Sequence, residues 1–557
     1  MLADADLDLL RRVITPQQPC GPPDAAQFTG SIDLLRLLYD PTNRIHRHAE
    51  SSGAPYVIGR KGAGKTAFVT APRLHDEVVA VELPSADIYG GVFEVVKSLM
   101  GRELQLYPEH TARLWRHLTW SAVLAEIARG PQQRRAAYRR VRDFALSLGN
   151  GKAPPVDAGA AVSQYLRRLR ILIDAVDHVG SVGELLNSVE GNGVTVAEAI
   201  GAGADILAAQ PERYVVIVDS LERYSGELPT TEYQQVERIS FEGLFRFIGG
   251  DGTLPTRAFD IRFAFPAELW QVLAKVSSNP VKDFHSTVIA HWSSRELITL
   301  VGTRLAIYCH LHRPGLLERL DLPDDRPGDL TYPESRRLVD AVLPPEVINA
   351  FGGREDSVGF LLRHTQLLPR HLIALLNQVF EAHTVDPRAP FPVSRMAVVE
   401  GVRRAQTAIV GDIIAAYTRV HPHADVCCER ILPNVGLVVD ESELHRLYNQ
   451  RGIRKATGLD YQEMRRVLIE IGCMGRVVAL DSTTRYVVGE FEYTRPGSMH
   501  VAESEPLCVH PLFGEVYSCR HSSSRRSQLT DEERRAVRPI YPVGSDPDAT
   551  RDYRDYL

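Results

Sequence analysis

Eight consecutive residues, Gly59-Arg60-Lys61-Gly62-Ala63-Gly64-Lys65-Thr66, carry the spacing G-x-x-x-x-G-K-[ST] in full. Glycine admits backbone conformations closed to other residues, so successive N–H groups can close around phosphate oxygens. A lysine then reaches the outer phosphates, and a threonine hydroxyl offers a hard oxygen to Mg²⁺. The stretch Gly59 to Ala67 therefore reads as a cradle for a nucleoside triphosphate, ATP with Mg²⁺. Lys65 is aimed at the β- and γ-phosphates and Thr66 at the metal. A bare glycine-rich turn is the competing reading. It is disfavoured because the apolar run Tyr56–Ile58 precedes the loop and a helical pattern opens at Thr66.

Such chemistry also needs a carboxylate at the tip of a neighbouring strand, to hold the water shell of the metal. Tyr214-Val215-Val216-Ile217-Val218-Asp219 is a β-branched run ending in an acid, and Asp219 is the expected second metal-side residue. Ser220 follows it, so the nearest acid that can draw a proton from an attacking water is Glu222.

These residues need a sheet to hold them. Val78–Leu83 and Ile261–Phe265 read as further strands and Tyr89–Met100 as an amphipathic helix, an alternation that predicts an α/β fold with parallel strands. A helical insertion is expected over about 101–210, with an arginine cluster at 134 to 142 that reads as a solvated face or as a phosphate- or partner-binding surface. With 557 residues the chain is too long for one core. The expected division is a lead-in over 1–54, a nucleotide-binding core over 55–289, a helical region over 290–410, an α+β module over 411–521 and a loosely held polar tail over 522–557.

Composition narrows the classes. Apolar residues at 44% and charged residues at 24% belong to a globular chain. A net charge of -6 provides no global field toward nucleic acid or anionic lipid, so any such contact must be a local patch. Seven scattered cysteines without a C-x-x-C pair suit a reducing cytoplasm, and no apolar run of spanning length occurs, so no membrane association is expected.

The loop YVIGRKGAGKTA, with Asp219-Ser220-Leu221-Glu222 after the acidic strand, resembles the AAA+ and STAND class of P-loop ATPases, and more narrowly a group of stand-alone prokaryotic members. STAND members continue with Glu where this chain has Arg223. The segment Leu368-Pro369-Arg370-His371-Leu372 with Asn377 is similar to the helical-lid sensor segment of AAA+ proteins, which implies that Arg370 approaches the γ-phosphate. The helix around 292 to 305 is similar to the one that opens the lid, so Arg304 is expected to face the nucleotide or a neighbouring subunit. The strand ending Ala264-Phe265-Pro266-Ala267-Glu268 has no polar sensor at its tip. The resemblance implies a P-loop NTPase core of AAA+/STAND type with a helical lid, acting as an ATP-hydrolysing switch or motor of multi-protein systems such as anti-phage defence. It leaves homo-oligomer formation open.

Residues 411–420, 441–452 and 460–473 read as helices, followed by strands at Arg476–Leu480 and Tyr486–Tyr493, which is the order of a winged helix. Arg451, Arg454, Lys455, Arg465, Arg466 and Arg485 form a basic set on this module, diluted by Asp460, Glu463 and Glu470. Duplex DNA and an effector protein are both compatible partners. Two further readings stay open, an initiator-like DNA loader and a non-catalytic scaffold shaped by bound nucleotide.

Overall fold

The computed structural model describes residues 4–40, 43–100, 106–131, 136–149, 151–175, 181–219, 231–249, 258–269, 286–323, 328–383, 391–480, 486–494, 499–530, 532 and 537–546. The chain divides into two compact units, one of residues 44–59 and 65–289, the other of residues 1–43, 60–64 and 290–557.

The first of these is α/β. Its sheet comprises β1 (Tyr56–Gly59), β2 (Val78–Leu83), β3 (Arg213–Val218), β4 (Asp260–Pro266) and β5 (Thr287–Ile289), all parallel, in the order β2-β3-β4-β1-β5. Strands covered on both faces read as unbroken apolar runs rather than alternating ones, and Tyr56–Ile58 and Tyr214–Val218 are buried at every position. Glu82 on the edge strand β2 is exposed and meets Arg73 at 2.7 Å.

The helical insertion forms around Pro108–Arg129, a helix started by Pro at its first turn and buried over most of its length. It packs against helices Ala136–Leu148, Ala158–Ala175 and Thr231–Gly249. Trp115 and Trp120 fill the centre, and the indole of Trp115 donates to the Ser240 carbonyl at 3.0 Å. The helix Arg44–Ser52, read from the sequence as part of the lead-in, belongs to this unit. Buried Arg262 of β4 donates to the carbonyls of Ala49 at 2.8 Å and Ala54 at 3.2 Å.

The second unit is mainly helical around Ser294–His312, Tyr332–Val342, Pro369–Ala382 and Arg395–Tyr417. Ser293 and Glu296 form a capping box that starts the first of these. The helix expected over 411–420 is the last stretch of Arg395–Tyr417, since no glycine or proline signal strong enough to stop a helix intervenes. Beyond it lie helices Ala424–Ile431, Glu441–Gln450, Ile453–Thr457 and Tyr461–Glu470. A second sheet follows, of β6 (Val438–Val439), β7 (Met474–Leu480), β8 (Val487–Glu490), β9 (Leu507–Val509) and β10 (Ile540–Pro542), in the order β6-β9-β7-β8-β10. The expected hairpin is β7–β8. The tail departs from its expectation: β10 pairs in parallel with β8, and Tyr541 donates to Glu355 at 2.6 Å.

Candidate functional site

β1 ends at Gly59 and the chain turns through Arg60–Gly64, with the Ala63 N–H donating to the Arg60 carbonyl at 3.0 Å. Gly62 at φ +91 and Gly64 at φ +84 take backbone conformations that side chains disfavour. At Gly62 space agrees with backbone, because a Cβ there would stand 2.9 Å from the Cβ of Arg370. The indole of Trp292 donates to the Ala63 carbonyl at 2.9 Å. The helix that follows is brief, Lys65–Thr70, because Pro72 turns the chain into a 3-10 segment over Ala71–Leu74.

Within the α/β unit, the ammonium of buried Lys65 donates to the Gly59 carbonyl at 2.8 Å. The hydroxyl of Thr66 donates to Asp219 Oδ2 at 2.9 Å, across 153 positions of sequence. The two residues singled out as metal-side oxygens are thus brought together by the fold. The strands that precede them, β1 and β3, are not neighbours, however. β4 lies between β1 and β3, so the acid comes from the next strand but one. Ala67 is buried.

Sequence reading treated Arg60 as a loop position like Lys61. In the structure its side chain is 4% exposed and held by several groups of its own unit. It pairs with Glu492 and donates to Gln366 Oε1 at 2.9 Å and to the carbonyls of Glu470 at 2.8 Å and Ile471 at 3.4 Å. Its guanidinium also lies 5.4 Å from the ring centre of Tyr417 and 5.6 Å from that of Tyr493. Lys61 is 3.8 Å from Asp412 at a partly exposed position. The loop is therefore fastened to the end of helix Tyr461–Glu470 and to the residues after β8. No local pattern announces an ion pair whose partners are 432 positions apart.

Buried imidazoles surround this clamp. Burial, reinforced by the charges of Arg370 and Arg60, pushes His371 down to about 3, and it accepts from the Gln366 N–H at 3.2 Å. His510, also lowered to about 3 by burial first and then by His371, lies 3.0 Å from the Tyr493 hydroxyl. Both are neutral near pH 7, which keeps further positive charge away from Arg60.

Arg370 comes to the loop: its N–H donates to the Gly62 carbonyl at 3.3 Å, while its guanidinium pairs with Asp24 at 3.0 Å. Arg304 departs from its expectation of facing a nucleotide or a neighbouring subunit. It is buried against the N-terminal segment, donating to Leu38 O at 3.3 Å and stacking 5.2 Å from the Phe28 ring centre, and burial pushes it down to about 10. Asn377 is likewise occupied, accepting from Cys20 N at 3.2 Å and donating to Gly21 O at 2.9 Å. Glu222, together with Ser220, Leu221 and Arg223, lies outside the described residues, as do Arg134, Arg135 and Arg485.

The basic set on the C-terminal module is partly spent on its own fold. Arg465 is buried, 3.2 Å from Glu441, and donates to Ala502 O at 3.0 Å, so it is not presented to a partner. Gln462 on the same helix bonds Glu503, and Arg451 bonds Asn434. Arg454, Lys455 and Arg466 are exposed.

Among the described residues no helix is long and apolar enough to cross a membrane. Comparison of the chain with protein-family models and with curated proteins gives no match.

Proposed function

We propose that the chain is a Mg-ATP-binding and ATP-hydrolysing switch of the AAA+/STAND kind, read out by its C-terminal module. The observation that carries the reading is the meeting of Thr66 and Asp219 at 2.9 Å directly after the glycine-rich loop. A hydroxyl and a carboxylate are hard oxygen donors of the type Mg²⁺ prefers, and in sequence Thr66 directly follows buried Lys65 and a loop with two left-handed glycines. The residues present therefore fit the group. Thr66 and Asp219 would hold the cation side and the loop N–H groups with Lys65 the phosphates. Bound Mg-ATP supplies a transferable phosphoryl group with its charge partly neutralised. To reach a phosphate, the Lys65 ammonium exchanges its bond to the Gly59 carbonyl for one to the nucleotide.

The output side rests on Arg60. A change in the loop on nucleotide binding moves an arginine gripped by Glu492, Gln366 and the Glu470 carbonyl, so the module senses the loop through hydrogen bonds rather than through a distant relay. The order of its helices and β7–β8 hairpin supports a winged-helix-like reading. A protein partner is favoured over duplex DNA, because Arg465 is turned inward and Gln462 is occupied by Glu503 on the helix that would enter a groove. By resemblance, that partner is an effector subunit of a multi-protein prokaryotic system.

The test is nucleotide binding by the full chain with and without Mg²⁺. Lys65→Ala should abolish tight ATP binding, and Asp219→Ala should remove the gain in affinity that Mg²⁺ brings. Wild-type affinity in Lys65→Ala would overturn the assignment.

A further inference from the structure

The described residues leave the proton acceptor for hydrolysis unassigned: Asp219 is engaged with Thr66, and the residue after it is a serine. The sheet itself points to another acid. In a parallel sheet every strand delivers its carboxyl end to one edge, and here that edge carries Gly59 at the end of β1 and Asp219 after β3. The strand between them is β4. Its register with β3 pairs Phe263 with Val218, and its register with β1 pairs Pro266 with Gly59. β4 thus runs past the level of Val218 to that of the loop's first glycine, and Glu268 follows two residues later, where the chain has turned helical. Glu268 is 6% exposed.

The approach to this position is apolar, Phe263-Ala264-Phe265-Pro266-Ala267, and Glu268 is buried with it, so its carboxylate is not a solvated surface charge. The strand register sets this acid just past the carboxyl end of β4, between the ends of β1 and β3, at the sheet edge where a phosphate chain would lie.

Resting on the ATPase reading above, we propose that Glu268 is the general base that activates water for ATP hydrolysis. The water oxygen bonds to the γ-phosphorus as the bond from that phosphorus to the β–γ bridging oxygen breaks. The bridging oxygen keeps the electron pair and leaves as part of ADP. The water proton passes to the Glu268 carboxylate, which returns it to solvent, so the products are ADP, inorganic phosphate and one proton. Asp219 stays on the metal side. The assignment departs from the sequence reading, which placed the base at Glu222 directly after β3.

The experiment uses the purified full chain and measures Mg-ATP affinity and single-turnover hydrolysis separately in Glu268→Gln, Glu268→Asp and Glu222→Gln. Glu268→Gln is expected to bind Mg-ATP within about 3-fold of wild type and to hydrolyse it roughly 10²- to 10⁴-fold more slowly, the usual loss for a removed base. Glu268→Asp keeps the charge but withdraws it by one methylene, so it should bind normally and recover part of the rate. It also serves as the reading should the glutamine variant not fold. Glu222→Gln should turn over within a few-fold of wild type. Wild-type turnover in either Glu268 variant, or loss of turnover confined to Glu222→Gln, overturns the proposal. Failure of the wild-type chain to bind Mg-ATP overturns instead the reading it rests on.

Discussion

Removing Arg60 tests how firmly the glycine-rich loop is fastened to the C-terminal module. The pair it forms with Glu492 has side chains 4% and 9% exposed, so neither charge is rehydrated in place when the other is lost. Deleting one member of a buried pair typically costs about 3–5 kcal/mol. Here Arg60→Ala also takes donors from the carbonyls of Glu470 and Ile471. The damage should be local. The amides of Gly472 and Cys473, which close the end of helix Tyr461–Glu470 on Ile469 O at 2.9 Å and Leu468 O at 3.1 Å, are its reporters. At about 1.4 kcal/mol per decade, their hydrogen exchange should accelerate by roughly two to four decades wherever reclosing outruns exchange. Glu492→Gln keeps an oxygen that can accept from Arg60 and should cost less. The double change Arg60→Met with Glu492→Leu leaves no orphan charge and should recover most of the protection. Exchange at these amides within about 3-fold of wild type in Arg60→Ala would refute the clamp.

Two further outcomes follow from the same unit. His371 and His510 lie at about 3 when folded against about 6.5 when unfolded, so only the unfolded chain takes up protons between those values. Stability should be level above pH 6.5 and fall as pH drops below it, by about 2 kcal/mol per histidine at pH 5. A denaturant midpoint unchanged from pH 7 to pH 5 would contradict their burial as neutral rings. Arg465→Ala should lower the melting temperature and leave duplex-DNA affinity as it was. A drop in that affinity with the salt slope reduced by about one would return Arg465 to a phosphate contact.

The features fixed by neighbours in sequence, the loop spacing and the apolar strand runs, were legible without the fold. The glycine-rich loop was legible from its spacing, and Gly64, one of its fixed glycines, takes a left-handed backbone conformation, as does Gly62 at a variable position. β1, β3 and β4 were visible as apolar or β-branched runs because a parallel strand covered on both faces reads as one, and β2, at the edge and half-buried, showed by its β-branched residues. Asp219 was visible as the acid closing such a run.

Tertiary structure decided what those residues face. That β4 separates β1 from β3 is a matter of strand order, which no run of residues encodes, and it is this order that sets the carboxyl end of β4, just before Glu268, between those of β1 and β3. β6, β9 and β10 are two or three residues long, too short for an alternation to register, and they exist because a partner strand offers hydrogen bonds. Arg304 was expected to face a nucleotide or a neighbouring subunit and Arg465 to join a basic set, because charge alone says nothing of burial; Phe28 and Leu38 in one case and Glu441 in the other draw them inside. Arg60 sits in a motif whose variable positions are free to be anything, and only a fold that carries Glu492 across 432 positions of sequence turns one of them into the grip of the C-terminal module on the loop.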